Sequence, residues 1–364
     1  MIQKDAKIYV AGHRGLVGSA ILSNLRRKGY TRLACRNHDE LDLTDQQEVA
    51  RFFVAEKHEY VFLAAAKVGG IGANSTYRGQ FIYENLMIQN NVIHQAYLNG
   101  VKKLLFLGST CIYPRDAAQP IKEEALLTGP LEYTNEPYAL AKIAGIKMCE
   151  SYNLQYGTDF IAVMPTNLYG PNDNFDLQRS HVLPAMMRKM SLANYLAEKD
   201  WTALRADLDR LPVDGIPSDA SDRQIRTALA DYGITAETLT LWGTGSPLRE
   251  FLWSEEMADA CVYLMEEVSF KDLMADMPSG EIRNTHVNIG TGKELTIRRL
   301  AELVRQVVGY SGELAFDASK PDGTPRKLTD VSRLHTLGWH HRIEIEEGVE
   351  KLYRWYADQF QSKT

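Results

Sequence analysis

No apolar run in this 364-residue chain reaches the roughly 20 residues that a membrane-crossing helix needs, so no membrane partner is expected. Cysteine is scarce. Cys35, Cys111, Cys149 and Cys261 are scattered, without Cys-x-x-Cys or zinc-ligand spacing, which argues against a disulfide scaffold and gives no reason to expect a metal. An excess of positive charge is also missing: 41 Lys and Arg face 47 Asp and Glu, for a formal net charge of −6. A nucleic-acid partner is therefore not expected, and an anionic ligand would need cations gathered locally. There is no internal repeat and no low-complexity tract. Met1-Ile2-Gln3-Lys4-Asp5 leads straight into a strand pattern, so no signal peptide is expected. With reducible thiols, that makes the cytoplasm the expected location.

What is present is an ordinary globular composition, 45% hydrophobic and 24% charged, long enough for one large core and a smaller lobe. Near the N-terminus, Lys7 to Ala11 reads as a buried strand and Ser19 to about Gly29 as an amphipathic helix. Between them stands Gly12-His13-Arg14-Gly15-Leu16-Val17-Gly18. Glycines three residues apart permit a tight turn and close backbone approach to a phosphate. The helix start then offers unpaired N–H groups and a positive dipole end. Alone the spacing is a weak signal; after a strand and before a helix it points to a dinucleotide.

The next strand, Arg32 to Cys35, selects the cofactor. Sites for NAD usually place an acid at this strand's end to bind ribose hydroxyls. Here the chain reads Cys35-Arg36-Asn37-His38, with Asp39 and Glu40 arriving later. Arg36 can pair with a 2′-phosphate, assisted by His38 and by Arg14 of the glycine loop. The expected cofactor is NADP, as NADPH; a solvated surface is the bland alternative for these charges.

Strand and helix continue to alternate as in a doubly wound α/β sheet. Tyr60 to Ala65 is a third strand, followed by a glycine-rich loop at Val68 to Gly72, and a long helix runs from about Tyr77 to Leu98. Lys103 to Gly108 is a fourth strand and Phe160 to Met164 a fifth, which ends in Pro165-Thr166-Asn167-Leu168-Tyr169-Gly170-Pro171. The expected division is a Rossmann-type nucleotide domain over residues 1–170, with later segments returning to it, and a mixed smaller lobe over 171–364. The lobe holds a helix from His181 to Met190, a strand from Thr238 to Trp242, and a helical stretch within about 191–237.

The chemistry gathers at strand ends. Ser109-Thr110-Cys111 follows the fourth strand and Tyr138-Ala139-Leu140-Ala141-Lys142 follows soon after. Positions i and i+4 share a helix face, so Lys142 can sit near the Tyr138 phenol and favour its phenolate. A serine hydroxyl and this tyrosine can polarise a carbonyl while reduced nicotinamide delivers hydride. Tyr-x-x-x-Lys by itself also suits an ordinary amphipathic helix. Cys111 and a lone His181 are surplus to a plain reduction. In the lobe, the turn-rich stretches Trp242 to Phe251 and Asp317 to Lys327 combine an aromatic ring with Arg249, Arg326 and Lys327. With Lys189 they would suit a base and a diphosphate, though each cation separately also suits a solvated face.

These residues resemble the GDP-L-fucose synthases of the extended short-chain dehydrogenase/reductase family. The specific stretches are Gly12 to Gly18, Ala64 to Ile71, Leu107 to Pro114, Pro165 to Pro171 and Lys320 to Lys327. The resemblance covers the chain except for the helical insertion. It implies NADPH-dependent reduction of GDP-4-keto-6-deoxy-D-mannose at C4 after epimerisation at C3 and C5, commonly by a homodimer. By matched position, Ser109, Tyr138 and Lys142 are the reductase trio, and Cys111 and His181 the epimerisation pair. Leu107, Gly108, Lys142, Pro165, Thr166, Asn167, Leu168 and His181 join the glycine loop, Arg36 and His38 at the cofactor. Lys189, Trp242, Arg249, Asp322 and Lys327 fall where substrate contacts are expected. His38 stands where relatives often carry a second arginine. Two other functions remain open: a sugar-nucleotide 4-epimerase or dehydratase that recycles bound NAD, and a non-catalytic NADPH sensor.

Overall fold

Short apolar runs become strands buried on both faces, as a parallel sheet covered by helices requires. The computed structural model describes residues 2–360 apart from Asp276, Pro278, Ser279 and Pro321, so Pro321 of the lobe's turn-rich loop lies outside the described residues. In chain order come β1 (Ile8–Ala11), α1 (Leu16–Arg27), β2 (Leu33–Ala34), α2 (Gln46–Glu56), β3 (Tyr60–Leu63), α3 (Ile71–Thr76) and α4 (Arg78–Leu98). Then follow β4 (Lys103–Leu107), α5 (Glu136–Tyr156), β5 (Phe160–Pro165), β6 (Asn167–Tyr169), α6 (Val182–Glu198), α7 (Trp201–Arg210) and α8 (Asp222–Asp231). The remainder is β7 (Thr238–Trp242), β8 (Leu248–Arg249), β9 (Phe251–Trp253), α9 (Ser254–Glu267), α10 (Phe270–Met274), β10 (Val287–Ile289) and β11 (Leu295–Thr296). It closes with α11 (Ile297–Val308), β12 (Glu313–Asp317), α12 (Ser332–Thr336) and α13 (Ile345–Phe360).

The chain divides into two units. The first is Met1–Leu168, Glu250–Lys293 and Leu328–Arg342; the second is Tyr169–Arg249, Glu294–Lys327 and Ile343–Thr364. The first unit carries a six-stranded sheet of order β10-β5-β4-β3-β1-β2, all pairs parallel. From β1 the chain goes out to β2 on one side and returns to β3 on the other. The order therefore reverses between β1 and β3, and ligands of open α/β sheets bind beyond the carboxyl ends at such a reversal. One face is filled by Ile21 and Leu25 of α1 with Met257 and Cys261 of α9. The other takes Phe53 of α2, Val92 and Ile93 of α4, and Ile146 of α5.

Two elements of this unit depart from the sequence reading. The glycine-rich stretch after β3 is not all loop: Ile71–Thr76 is helical, and the Asn74 amide donates to the carbonyls of Gly69 at 2.6 Å and Gly70 at 3.0 Å. Helix α2, which the sequence reading did not name, carries Val49, Phe52 and Phe53 at helical spacing, and Asp45 caps it by accepting the N–H groups of Gln47 and Glu48.

In the second unit β12 pairs in parallel with β7, from Glu313 opposite Thr238 to Asp317 opposite Trp242. Asp317, expected to open a loop, ends a strand instead. Helix α6 runs two turns past Met190, to Glu198. Its Arg188 is fully buried and grips Asp207 of α7 through Nε at 2.9 Å and Nη2 at 2.8 Å. The hydroxyl of Tyr356, on α13, donates to the other Asp207 oxygen. One buried ion pair thus ties three helices, and removing one partner would strand the other charge in apolar surroundings.

Candidate active site

The glycine loop lies beyond β1, at the reversal point. Gly12 has φ +81°, and a Cβ there would lie 2.7 Å from the Ala65 backbone nitrogen, just past β3. A Cβ on Gly18 would lie 2.1 Å from the Gly12 carbonyl oxygen, so only hydrogen allows the helix start to fold back on the loop. Gly15, the N-cap of α1, has room, its nearest neighbour being 3.5 Å away. No side chain caps α1 and no acid stands in its first turn. Its N-terminal N–H groups and positive dipole end therefore suit an anion, and this cradle fits a dinucleotide diphosphate.

Ser109 follows β4 after Gly108 and caps the 3₁₀ turn Thr110–Ile112, its Oγ accepting the Cys111 N–H at 3.3 Å. Its hydroxyl proton stays available to donate. Pro137 opens α5, where a missing N–H costs nothing, and Tyr138 and Lys142 follow one turn apart. Phe81 of α4 packs edge-on against Tyr138 with ring centroids 6.4 Å apart. Cys111 is buried and close enough for its charge to act on both Tyr138 and Lys142. The structure therefore brings Ser109, Cys111, Tyr138 and Lys142 together.

The electrostatics differ from the simple spacing argument. Burial, with a smaller contribution from Cys111, pushes the Tyr138 phenol well above its ordinary value. Burial also pulls the Lys142 ammonium down to about 8, with Cys111 opposing. The Lys142 Nζ donates to the Leu107 carbonyl at 2.7 Å and lies 4.7 Å from the Phe106 ring. Desolvation outweighs the lysine's pull on the phenol, so Tyr138 is held as a proton donor rather than as a phenolate.

The residues around the second strand are placed less simply. Arg36 donates through Nη2 to Glu56 at 2.7 Å and through Nη1 to the Cys35 carbonyl at 2.8 Å. Arg14 is exposed, and His38 is exposed with Nδ1 3.9 Å from Asp42. Beyond β5, the Thr166 N–H donates to the Ile289 carbonyl at 3.0 Å and the Asn167 amide to the Glu250 carbonyl at 2.8 Å. Glu250 escaped the sequence reading. It is fully buried and its carboxylate accepts the backbone N–H groups of Thr291, Gly292 and Thr329. Between Arg249 and Phe251 nothing local distinguishes such an acid from a surface one.

In the second unit His181 stands at the N-cap of α6, where crowding around the ring lowers its imidazole below the ordinary value. Lys189 Nζ donates to the Tyr232 carbonyl at 3.0 Å, and burial lowers its ammonium. Trp242 is 67% exposed, with Lys320 Nζ 5.5 Å from its ring centre. Arg249 is lowered by burial, opposed by Asp322, and donates to the Leu248 carbonyl at 2.7 Å. The Asp322 carboxylate accepts the Thr244 N–H at 2.9 Å and its hydroxyl at 2.7 Å. It braces the turn after Trp242 rather than standing open. Lys327 is half-buried in the same unit. Among the described residues no cluster of His, Cys, Asp or Glu could hold a metal ion, and no helix is long and apolar enough to cross a membrane.

A parallel sheet reversing beside a glycine loop, with a serine, tyrosine and lysine gathered beyond β4, defines the class of dinucleotide-dependent α/β oxidoreductases. The chain belongs to the NAD dependent epimerase/dehydratase family, whose model matches residues 8–216 and 212–290, and within it to the GDP-L-fucose synthases. It is 52% identical over 356 residues to GDP-L-fucose synthase 1 of Arabidopsis thaliana, covering 98% of this chain and 94% of that one. It is 48% identical to GDP-L-fucose synthase of Escherichia coli (strain K12), covering 97% of each. Among solved structures, a GDP-D-glycero-L-gluco-heptose synthase from Campylobacter jejuni, determined in the presence of NADPH, is 46% identical. That structure has a TM-score of 0.91 and covers 98% of this chain and 99% of its own.

Proposed function

We propose that this enzyme makes GDP-L-fucose from GDP-4-keto-6-deoxy-D-mannose, inverting C3 and C5 and reducing the C4 ketone with NADPH. The observation that carries the reading is Cys111 set among Ser109, Tyr138 and Lys142. The last three suffice for a plain reduction, and the thiol adds a group able to exchange protons. Gly12, Gly15, Gly18 and the N–H groups opening α1 would hold the cofactor's diphosphate. His13, Leu16 and Val17 complete that loop. Arg36, with Arg14 and His38, would take the 2′-phosphate, and Leu107, Gly108, Lys142, Pro165, Thr166, Asn167, Leu168 and His181 the nicotinamide end. Bound NADPH supplies the two electrons that reduce C4.

The chain's own groups do the rest. Ser109 and Tyr138 hydrogen-bond the C4 oxygen, which acidifies the C3 and C5 protons and stabilises the enolate left when either departs. Cys111 and His181 act as base and acid on the two ring faces, so each carbon is reprotonated with inversion. A phenol pushed up by burial keeps its proton until the C4 oxygen becomes an alkoxide, and then gives it up. Lys142 holds that phenol's environment in place through its bond to Leu107. Exposed Trp242 suits the guanine, and Lys189, Arg249 and Lys327 suit the diphosphate, with Asp322 bracing the loop.

Purified enzyme given substrate and NADPH in deuterated water should oxidise NADPH and yield GDP-L-fucose labelled at C3 and C5. The similarity, at 45% identity, to a GDP-mannoheptose C4 reductase from Campylobacter jejuni favours one second reading, C4 reduction of a related keto-sugar without epimerisation. NADPH oxidation with no label at C3 or C5 would select that reading. Absence of net NADPH oxidation would instead point to an NAD-recycling epimerase or dehydratase. We also infer a homodimer, supported by exposed Tyr83 and Leu98 on α4 and Leu140, Leu154 and Tyr156 on α5. A cytoplasmic location is the reading that suits four cysteines kept as thiols.

A further inference from the structure

We propose that Glu56 sets how strictly this enzyme prefers NADPH over NADH, by competing with the cofactor's 2′-phosphate for Arg36. The inference rests on Arg36 being the residue that reads that phosphate. Arg36 lies just past β2 and Glu56 ends α2, so two chain segments 20 residues apart place opposite charges together. Arg36 Nη2 donates to Glu56 Oε1 at 2.7 Å, Nη1 donates to the Cys35 carbonyl at 2.8 Å, and the guanidinium lies 5.3 Å from the Phe52 ring centre. The Arg36 side chain is still 36% exposed, so an incoming anion can reach it.

The second Glu56 oxygen accepts from Lys7 Nζ. Lys7 first, then Arg36, holds this carboxyl below its ordinary range, so at neutral pH it carries its full charge. A guanidinium offers five N–H groups in a rigid fork, and a two-point grip on phosphate needs adjacent ones. Glu56 already occupies one of those on Nη2. A phosphate arriving at Arg36 therefore either displaces a carboxylate or settles beside one and is repelled. NADH carries a hydroxyl at that position and meets neither effect. No second arginine follows Arg36, since Asn37 and His38 come next, which leaves Arg14 of the glycine loop as the other arginine proposed for this phosphate.

The test is the dissociation constant of NADPH and of NADH, read by quenching of intrinsic fluorescence, for the wild type, Glu56→Gln and Arg36→Ala. Glu56→Gln keeps a hydrogen-bonding group of the same shape and removes its charge. It should tighten NADPH about three- to tenfold, as suits a partly exposed charge pair, and leave NADH within about twofold. High salt should shrink the gain, because its origin is screened charge. Arg36→Ala should weaken NADPH about tenfold or more and spare NADH. Equal losses for both cofactors in Arg36→Ala would defeat the phosphate assignment itself. A selective loss there, with NADPH binding unchanged or weaker in Glu56→Gln, would defeat only the role given to Glu56. Should Glu56→Gln fold poorly, Glu56→Asp draws the carboxylate back by one methylene. It should show a smaller gain of the same sign, and no gain would overturn the proposal.

Discussion

The glycine loop of the first unit and the cation-bearing elements of the second, each proposed to meet an anionic diphosphate, are built by different physics. The first builds its site from main chain. Gly12 and Gly18 remove side chains so that a strand end and a helix start can touch, and the helix supplies the N–H groups. The second builds from long side chains, each held by a neighbour. Lys189 leans on the Tyr232 carbonyl, Arg249 on the Leu248 carbonyl, and Asp322 clamps Thr244. A main-chain site survives most substitutions except at its glycines. A side-chain site depends on every brace around it, including the helices α7 and α8 of the insertion. Within that stretch the Tyr232 carbonyl accepts from Lys189, and Asp214 and the Tyr232 hydroxyl accept from Gln178 of the segment leading to His181.

The largest effect should come from the group proposed to give the C4 alkoxide its proton. Tyr138→Phe should lower NADPH oxidation by about 10²–10⁴-fold, the usual range for a positioned proton donor. It should still take up deuterium at C3 or C5, whereas Cys111→Ser should do the reverse, losing label while keeping NADPH affinity. Mass spectrometry beside NADPH absorbance reads both, and wild-type exchange in Cys111→Ser would make Cys111 a structural thiol.

Next comes the buried pair of the second unit. Asp207→Ala leaves Arg188 without its carboxylate and should cost about 3–5 kcal/mol, seen as a large fall in the melting midpoint. A loss under 1 kcal/mol would mean the brace is dispensable.

Gly18→Ala should weaken NADPH about a hundredfold or block folding, because a methyl 2.1 Å from a backbone oxygen has nowhere to go. Gly15→Ala, with 3.5 Å of room, should lose less than about tenfold. Titration of both variants with NADPH checks the contrast; equal losses would show that the loop is not backbone-limited.

Trp242→Ala removes an exposed ring and should raise KM for the GDP-sugar about tenfold, with NADPH affinity unchanged.

The smallest effect is on stability. Lys142 titrates at about 8 in the folded chain and near its ordinary ~10.4 when unfolded. Below pH 8 both states are protonated and the folded one bears the full desolvation cost. Between the two values only the unfolded chain keeps its proton, so the folded state gains as pH rises. The wild type should therefore improve relative to Lys142→Met between pH 7 and 9.5 in thermal melts, and parallel curves would reject the shifted lysine.

Sequence alone determined the parts governed by neighbours along the chain. The glycine spacing between strand and helix, the one-turn offset of Tyr138 and Lys142, Ser109 at a strand end and most of the sheet strands all follow from local geometry, and all were readable in advance. Tertiary structure decided what depends on partners far away in sequence. Glu56 opposite Arg36, Glu250 gathering the N–H groups of Thr291, Gly292 and Thr329, and Asp207 joining Arg188 to Tyr356 left no local mark. The same holds for the state of Tyr138. Spacing brings a lysine near it, but burial sets the proton affinity of both, and burial is a property of the packed chain.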